Sequence, residues 1–242
     1  MQTLPKSPIE LSVKKDRETI MRRETRFKGK ELHGWCRHMY RTMAIGFDYV
    51  DDKQVVMQRV LAPNKKYLIF LDLDETLTET NESPSVGIKG SRSEVDLDNY
   101  MQARVPPQLR TRIKLFLANI SKRSDLDWFI LTDNVFATTR CTIKLAFDID
   151  TEPGTIIDRA MRSSFGDNFI TKADFIALVM KERRKLGVTD AKIVFADNLT
   201  QHRDDVRNAI ESARGDAFVC CENLERGLRE QDINEIYRFI NK

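Results

Sequence analysis

The 242-residue sequence predicts an α/β fold, a Rossmann-like parallel sheet with helices on both faces, preceded by a helical N-terminal segment. Three observations carry this expectation. From Tyr67 onward, short apolar runs of strand length alternate with helix-like segments, the pattern of a parallel sheet joined by crossovers. Three of these runs stop abruptly in polar residues, as strands do where a sheet edge opens to a ligand. The composition, 41% hydrophobic and 32% charged, is that of a globular chain long enough to bury a full core.

Residues 1–62 read as a basic, helical N-terminal segment, with helices expected around 8–27 and 30–45. Residues 1–41 hold eleven Lys/Arg against five Asp/Glu, an excess of six positive charges in a chain of net charge +3. A solvated helix face is the ordinary reading of such a segment, and contact with a partner or an acidic lipid surface is the alternative. His33 and His38 flank Cys36, but no fourth metal ligand is in view. Pro63 and Asn64 punctuate the chain, which sets the domain proper at 63–242.

"YLIFLDLD" from Tyr67 is the first strand, followed by a polar loop to about residue 104. A helix fits 106–122, with its two prolines at the start where they are tolerated. "DWFILTDN" is the second strand, "VFATTRCTIKLAF" a helix and "GTIIDRAM" a short third strand. Thr171 as N-cap, Asp174 three places on and Gly187 after the last turn delimit the next helix. "AKIVFADN" and "DAFVCC" are the remaining strands, each followed by a helix.

Parallel neighbours bring the polar strand ends together: Asp72 and Asp74, Thr132 and Asp133, Asp197 and Asn198. Lys172, in the first turn of its helix, approaches the same edge. Hard oxygen donors of this kind suit Mg²⁺, which also offsets the repulsion among the carboxylates. A phosphate is then attracted by the cation and by Lys172.

"FLDLDETLT" resembles the DxDxT signature of the haloacid dehalogenase superfamily, the aspartate-based phosphohydrolases. The superfamily's other motifs match in order at Thr132 in "WFILT", Lys172 in "FITKADF" and Asp197 in "KIVFAD", so the resemblance covers residues 66 to about 225. It implies a Mg²⁺-dependent phosphatase acting through an aspartyl-phosphate. Asp72 would be the nucleophile and Asp74 the general acid and base. Asp72, Asp197 and the Asp74 backbone carbonyl would hold the metal, while Thr132 and Lys172 would bind the phosphoryl oxygens. Thr76 would fix the turn after the strand and orient Asp74. One departure is that a second acid often accompanies the fourth-motif aspartate; here Asn198 or Asp204 would complete the metal shell.

Members with small substrates carry a cap domain. Here residues 79–104 suffice only for a flap, and 134–170 are accounted for by a helix, a short strand and a connector. The resemblance is therefore to capless protein phosphatases, implying a phosphorylated macromolecule as substrate, with phosphoprotein, and phosphotyrosine before phosphoserine, expected. Phosphorylated nucleic-acid ends, small metabolites and a non-catalytic partner-binding module are the alternatives; a net charge of +3 does not itself argue for nucleic acid. Cys220 to Arg226 fits a C-x5-R pattern, but Glu222 and Glu225 would repel phosphate, so core packing is the reading. No apolar run reaches the roughly 18 residues of a membrane span. The first residues lack a signal-type apolar block, so a cytoplasmic location is expected and secretion by a signal-independent route stays open.

Overall fold

The computed structural model describes Cys36 and residues 53–79, 101–134, 136–166, 170–188, 192–222 and 227–242. The helix expected at 8–27, the one expected at 30–45 except for Cys36, His33 and His38, and residues 80–100 of the flap lie outside the described residues. The elements, in chain order, are α1 (Lys53–Val60), β1 (Tyr67–Leu71), α2 (Pro107–Ile120), β2 (Leu126–Leu131) and α3 (Phe136–Phe147). Then come β3 (Ile156–Ile157), α4 (Arg159–Ser163), α5 (Lys172–Lys185), β4 (Lys192–Ala196), α6 (Thr200–Ser212), β5 (Asp216–Cys220) and α7 (Glu230–Ile240).

The strands form one parallel sheet in the order β3-β2-β1-β4-β5. β1 is therefore central, and its five residues are all buried. Leu71 pairs with Ile130 on one side and Ala196 on the other, so the next residues along β1 and β4, Asp72 and Asp197, leave the sheet side by side. The chain winds outward from β1 through β2 to β3, then crosses back to β4. The boundary between β1 and β4 is thus the switch point where α/β sheets open a crevice.

Alternation along β1 sends its side chains to two separate cores. Tyr67, Ile69 and Leu71 pack with α2, α3 and α7, through Ile113, Phe116, Phe147, Ile236 and Phe239. Leu68 and Phe70 face α1, α4, α5 and α6, through Val56, Met161, Phe175, Val179 and Val206. Helices on both faces are thus observed, as the alternating pattern predicts.

Two boundaries differ from expectation. α1 falls in the stretch read as N-terminal segment, yet Val56 and Val60, four apart on one face, are fully buried in the sheet core. Gly154 makes room for it: a Cβ there would lie 3.0 Å from Val55 Cγ1 and 3.2 Å from the Val56 nitrogen, and its φ of +74° suits glycine. The packed body thus extends back at least to Lys53. The third strand is also shorter than "GTIIDRAM", because Asp158 ends it by capping α4, accepting from the Met161 amide at 2.7 Å.

Candidate active site

Asp72 emerges from the central strand with its amide donating to the Ala196 carbonyl at 2.8 Å, so β4 still grips the chain where the carboxylate begins. The residue is 6% exposed. Asp197, at the same level of β4, is fully buried; its Oδ1 accepts from the Leu199 amide at 2.8 Å.

Lys172 reaches these two acids from α5. The expected capping box is present: the Asp174 amide donates to Thr171 Oγ1 at 3.1 Å, and the Thr171 amide donates to Asp174 Oδ2 at 3.0 Å. That cap fixes the first helical residue at the sheet edge. Lys172 Nζ then donates to Asp72 Oδ1 and to Asp197 Oδ2, each at 2.7 Å. One ammonium thus bridges two buried carboxylates. Burial is the main influence on Asp72, opposed by the Lys172 charge and reinforced by that of Asp197; its carboxyl is pushed up to about 6. Burial would also raise Asp197, but hydrogen bonds from His202 and Lys172 hold it below its ordinary value. Burial works against the charge on Lys172, and the two acids still raise it above the usual value.

Asp74 has different surroundings. It forms an ion pair with Arg104 and accepts from Asn134 Nδ2, and its side chain is 29% exposed. Arg104 is itself buried, and its carbonyl accepts from the Glu79 amide at 2.8 Å, so the two ends of the expected flap meet beside the acid. Thr132 lies on the same edge, at the end of β2. It is buried, and its hydroxyl accepts from the Asn134 amide at 3.1 Å. Asp133 is paired with Arg162 and borders a cleft of about 440 Å³ that Arg159, Lys172, His202 and Asp205 also line.

Two sequence expectations are corrected. Thr76 fixes the turn after β1 as expected, its hydroxyl accepting from the Asn198 amide at 3.1 Å and its carbonyl from the Leu228 amide at 2.7 Å, but these contacts tie the turn to β4 rather than to the Asp74 carboxylate. Asp204 does not reach back, because it lies 53% exposed on α6 in a pair with Arg207 at 2.6 Å. Asn198 is the residue at the site, 5% exposed, with Nδ2 donating to Glu75 Oε2. The Cys220 and Cys221 thiols are buried, and burial pushes Cys221 up to about 12, which suits core packing rather than nucleophilic chemistry.

Several site residues carry no mark in the sequence. His202 Nδ1 lies 3.1 Å from Asp197 Oδ2, and that contact raises its pKa. Arg203 Nη1 donates to the carbonyls of Asp197, Asn198 and Cys221 at 2.9, 2.7 and 2.7 Å, clamping the exits of β4 and β5. Arg162 Nη1 does the same for the Thr132 carbonyl at 2.7 Å. The signal for His202 is helical: it lies in the first turn of α6, five residues after Asp197.

Among the described residues no three His, Cys, Asp or Glu side chains gather as a complete metal cage. The donor set still fits a hard cation. Asp72 and Asp197 bring two negative charges to one buried spot, and Lys172 supplies a single positive one. The excess is negative and every donor is oxygen, which suits Mg²⁺ completed by a backbone carbonyl and waters.

No family model matches the chain, and no curated protein matches it. Among solved structures it is similar to the HAD domain of effector protein Lem4 from Legionella pneumophila, with 14% identity and a TM-score of 0.45 over 73% of this chain and 95% of that one. An inactive mutant of the same domain gives the same identity and TM-score, over 93% of its length. No helix among the described residues is long and apolar enough to cross a membrane.

Proposed function

We propose that the chain is a Mg²⁺-dependent phosphatase that hydrolyses phosphate monoesters through an aspartyl-phosphate on Asp72, with phosphoprotein, and phosphotyrosine in particular, as the substrate class. The observation that carries this reading is the bridge of Lys172 across Asp72 and Asp197 at the switch point of the sheet. A buried carboxylate at the end of a central strand is costly to keep, and an ammonium held against it is the arrangement a phosphoryl-accepting acid needs.

Asp72 attacks phosphorus and takes the phosphoryl group as an acyl phosphate, while the ester oxygen departs. Asp74, two residues on, delivers a proton to that oxygen, then removes one from the water that hydrolyses the acyl phosphate. Lys172 holds a phosphoryl oxygen as it gains charge, and the Thr132 hydroxyl binds another. Asp72, Asp197 and the Asp74 carbonyl would hold Mg²⁺, which when bound would supply charge neutralisation on the phosphoryl oxygens.

The preference for macromolecular phosphate rests on the polypeptide around the site. Residues 136–166 pack on the sheet as α3, β3 and α4 and build no separate lobe over the acids. The adjoining cleft carries Arg159 and His202 at its border. Contact of the basic N-terminal segment with a partner or an acidic lipid surface is kept as the alternative to a solvated helix face, and a cytoplasmic site of action is part of the same reading. A specific observation favours a second reading, a non-catalytic partner-binding module: Asp74, the proposed acid, is held in an ion pair with Arg104.

Release of phosphate from an aryl phosphate, with Mg²⁺ and with EDTA, separates the two. The phosphatase reading expects turnover that EDTA abolishes and that Asp72→Asn eliminates. Full activity in Asp72→Asn removes the nucleophile assignment, and no turnover with any phosphopeptide or phosphorylated oligonucleotide favours the binding module.

A further inference from the structure

We infer that Glu75 is a positioning residue for the cation site, acting through Asn198 to complete the outer shell around the metal held by Asp72 and Asp197. The inference rests on the proposed metal site and adds to it Glu75 as the residue that orients Asn198.

The first observation is backbone conformation. Glu75 has φ of +56°, the left-handed region that a residue with a side chain enters only at a cost and that glycine would enter freely. Such outliers persist where the surroundings over-determine them, and they concentrate at functional sites. Glu75 is held there by its own amide, which donates to Thr78 Oγ1 at 3.2 Å.

The second observation is what that turn reaches. The half-buried Glu75 carboxylate accepts a hydrogen bond from Asn198 Nδ2. Asn198 adjoins Asp197 in sequence, and its backbone is fixed by the Thr76 hydroxyl and by Arg203 on its carbonyl. With Nδ2 committed to Glu75, Oδ1 is the end of the carboxamide left to accept from a metal-bound water. An amide without this partner has two nearly equivalent orientations, one of which offers the cation's shell a donor instead of an acceptor. Groups that orient the partners of a metal in this way commonly influence affinity by about 10–100-fold.

The test is calorimetric titration of the full chain with Mg²⁺ alone, for wild type, Glu75→Ala, Glu75→Gln, Asn198→Ala and the Glu75→Ala/Asn198→Ala double variant. Glu75→Ala and Asn198→Ala are each expected to weaken Mg²⁺ binding by about tenfold. Glu75→Gln keeps an acceptor oxygen for Nδ2 and is expected to recover most of that loss, a rescue that misfolding would not produce. In the Asn198→Ala background, Glu75→Ala is expected to add nothing, because its effect passes through the amide. Wild-type affinity in Glu75→Ala or in Asn198→Ala overturns the inference, and so does a further tenfold loss in the double variant. Asp197→Asn is the control for the underlying reading. If it binds Mg²⁺ as wild type does, or if wild type binds none, the cation site itself is wrong and the inference falls with it.

Discussion

Lys172 Nζ lies 2.7 Å from Asp72 Oδ1 although a hundred residues separate the two in the chain. The contact exists because a capping box starts α5 at the sheet edge and because β1, the central strand, ends there. Lys172 is 4% exposed and Asp72 6%, so neither charge has water to fall back on.

Removing the ammonium should therefore be felt in stability as well as in turnover. Lys172→Met leaves two buried carboxylates facing each other, and breaking a buried ion pair from one side costs about 3–5 kcal/mol. Turnover is expected to fall about 10²–10³-fold, the scale of losing one preorganised electrostatic contact to the transition state. Urea denaturation and steady-state kinetics check both, and a variant as stable as wild type contradicts the buried bridge.

Asp72 gives stability a pH dependence of definite sign. Its folded pKa of about 6 is raised above the ordinary 3.8, so the native state holds a proton that the unfolded chain has lost. Its stabilising contribution is fully present below 3.8 and is lost as pH rises through about 6. In EDTA, the melting temperature of wild type relative to Asp72→Asn should fall across that window. A difference that is flat, or that grows with pH, contradicts the assignment.

Asp74 is needed most where the leaving oxygen is most basic. Asp74→Asn should cost about 10²–10⁴-fold in kcat/KM, which reads the step that expels the leaving group, on an alkyl phosphate, the scale of general acid catalysis. The loss should be smaller on p-nitrophenyl phosphate, whose leaving group departs without a proton. Equal losses on both substrates would show that Asp74 is not the proton donor.

Arg203 holds the exit of β4 to that of β5 through three carbonyls contacted by one Nη1. Arg203→Met strands those acceptors in a buried site, at a cost of about 1–3 kcal/mol for each group left unsatisfied. Thermal unfolding should show a loss of several degrees. Arg203→Lys should recover only part of it, because a lysine lacks the planar fork. Full recovery by lysine would reduce the role of Arg203 to charge alone.

The parts of the fold read correctly from sequence are those in which burial and polarity change within a few residues. "YLIFLDLD" marks its own burial and its own end, and Thr171, Asp174 and Gly187 mark both ends of α5 with local hydrogen-bond chemistry. Gly187 has the left-handed φ of +77° that such a helix end uses. α1 was obscured because only Val56 and Val60 carry its buried stripe within a charge-rich stretch. Arg104 and Arg162 were not legible because their carboxylate and carbonyl partners lie about thirty residues away, and Arg203 because any arginine on a helix reads as solvated until the fold is known. The Thr76 partners and the choice between Asn198 and Asp204 were not legible either: Thr76 reaches across strands and Asp204 pairs on the outer face of α6, which spacing along the chain does not reveal.

The central claim is that residue 72 forms a covalent bond to phosphorus. Rapid acid quench during turnover, followed by borohydride reduction and peptide mass spectrometry, reads that bond directly, because an acyl phosphate on aspartate is reduced to homoserine. Homoserine at position 72, absent from Asp72→Asn and from protein without substrate, is the predicted result. Homoserine at another aspartate, or none under conditions where Asp74→Asn slows breakdown and turnover continues, would contradict it.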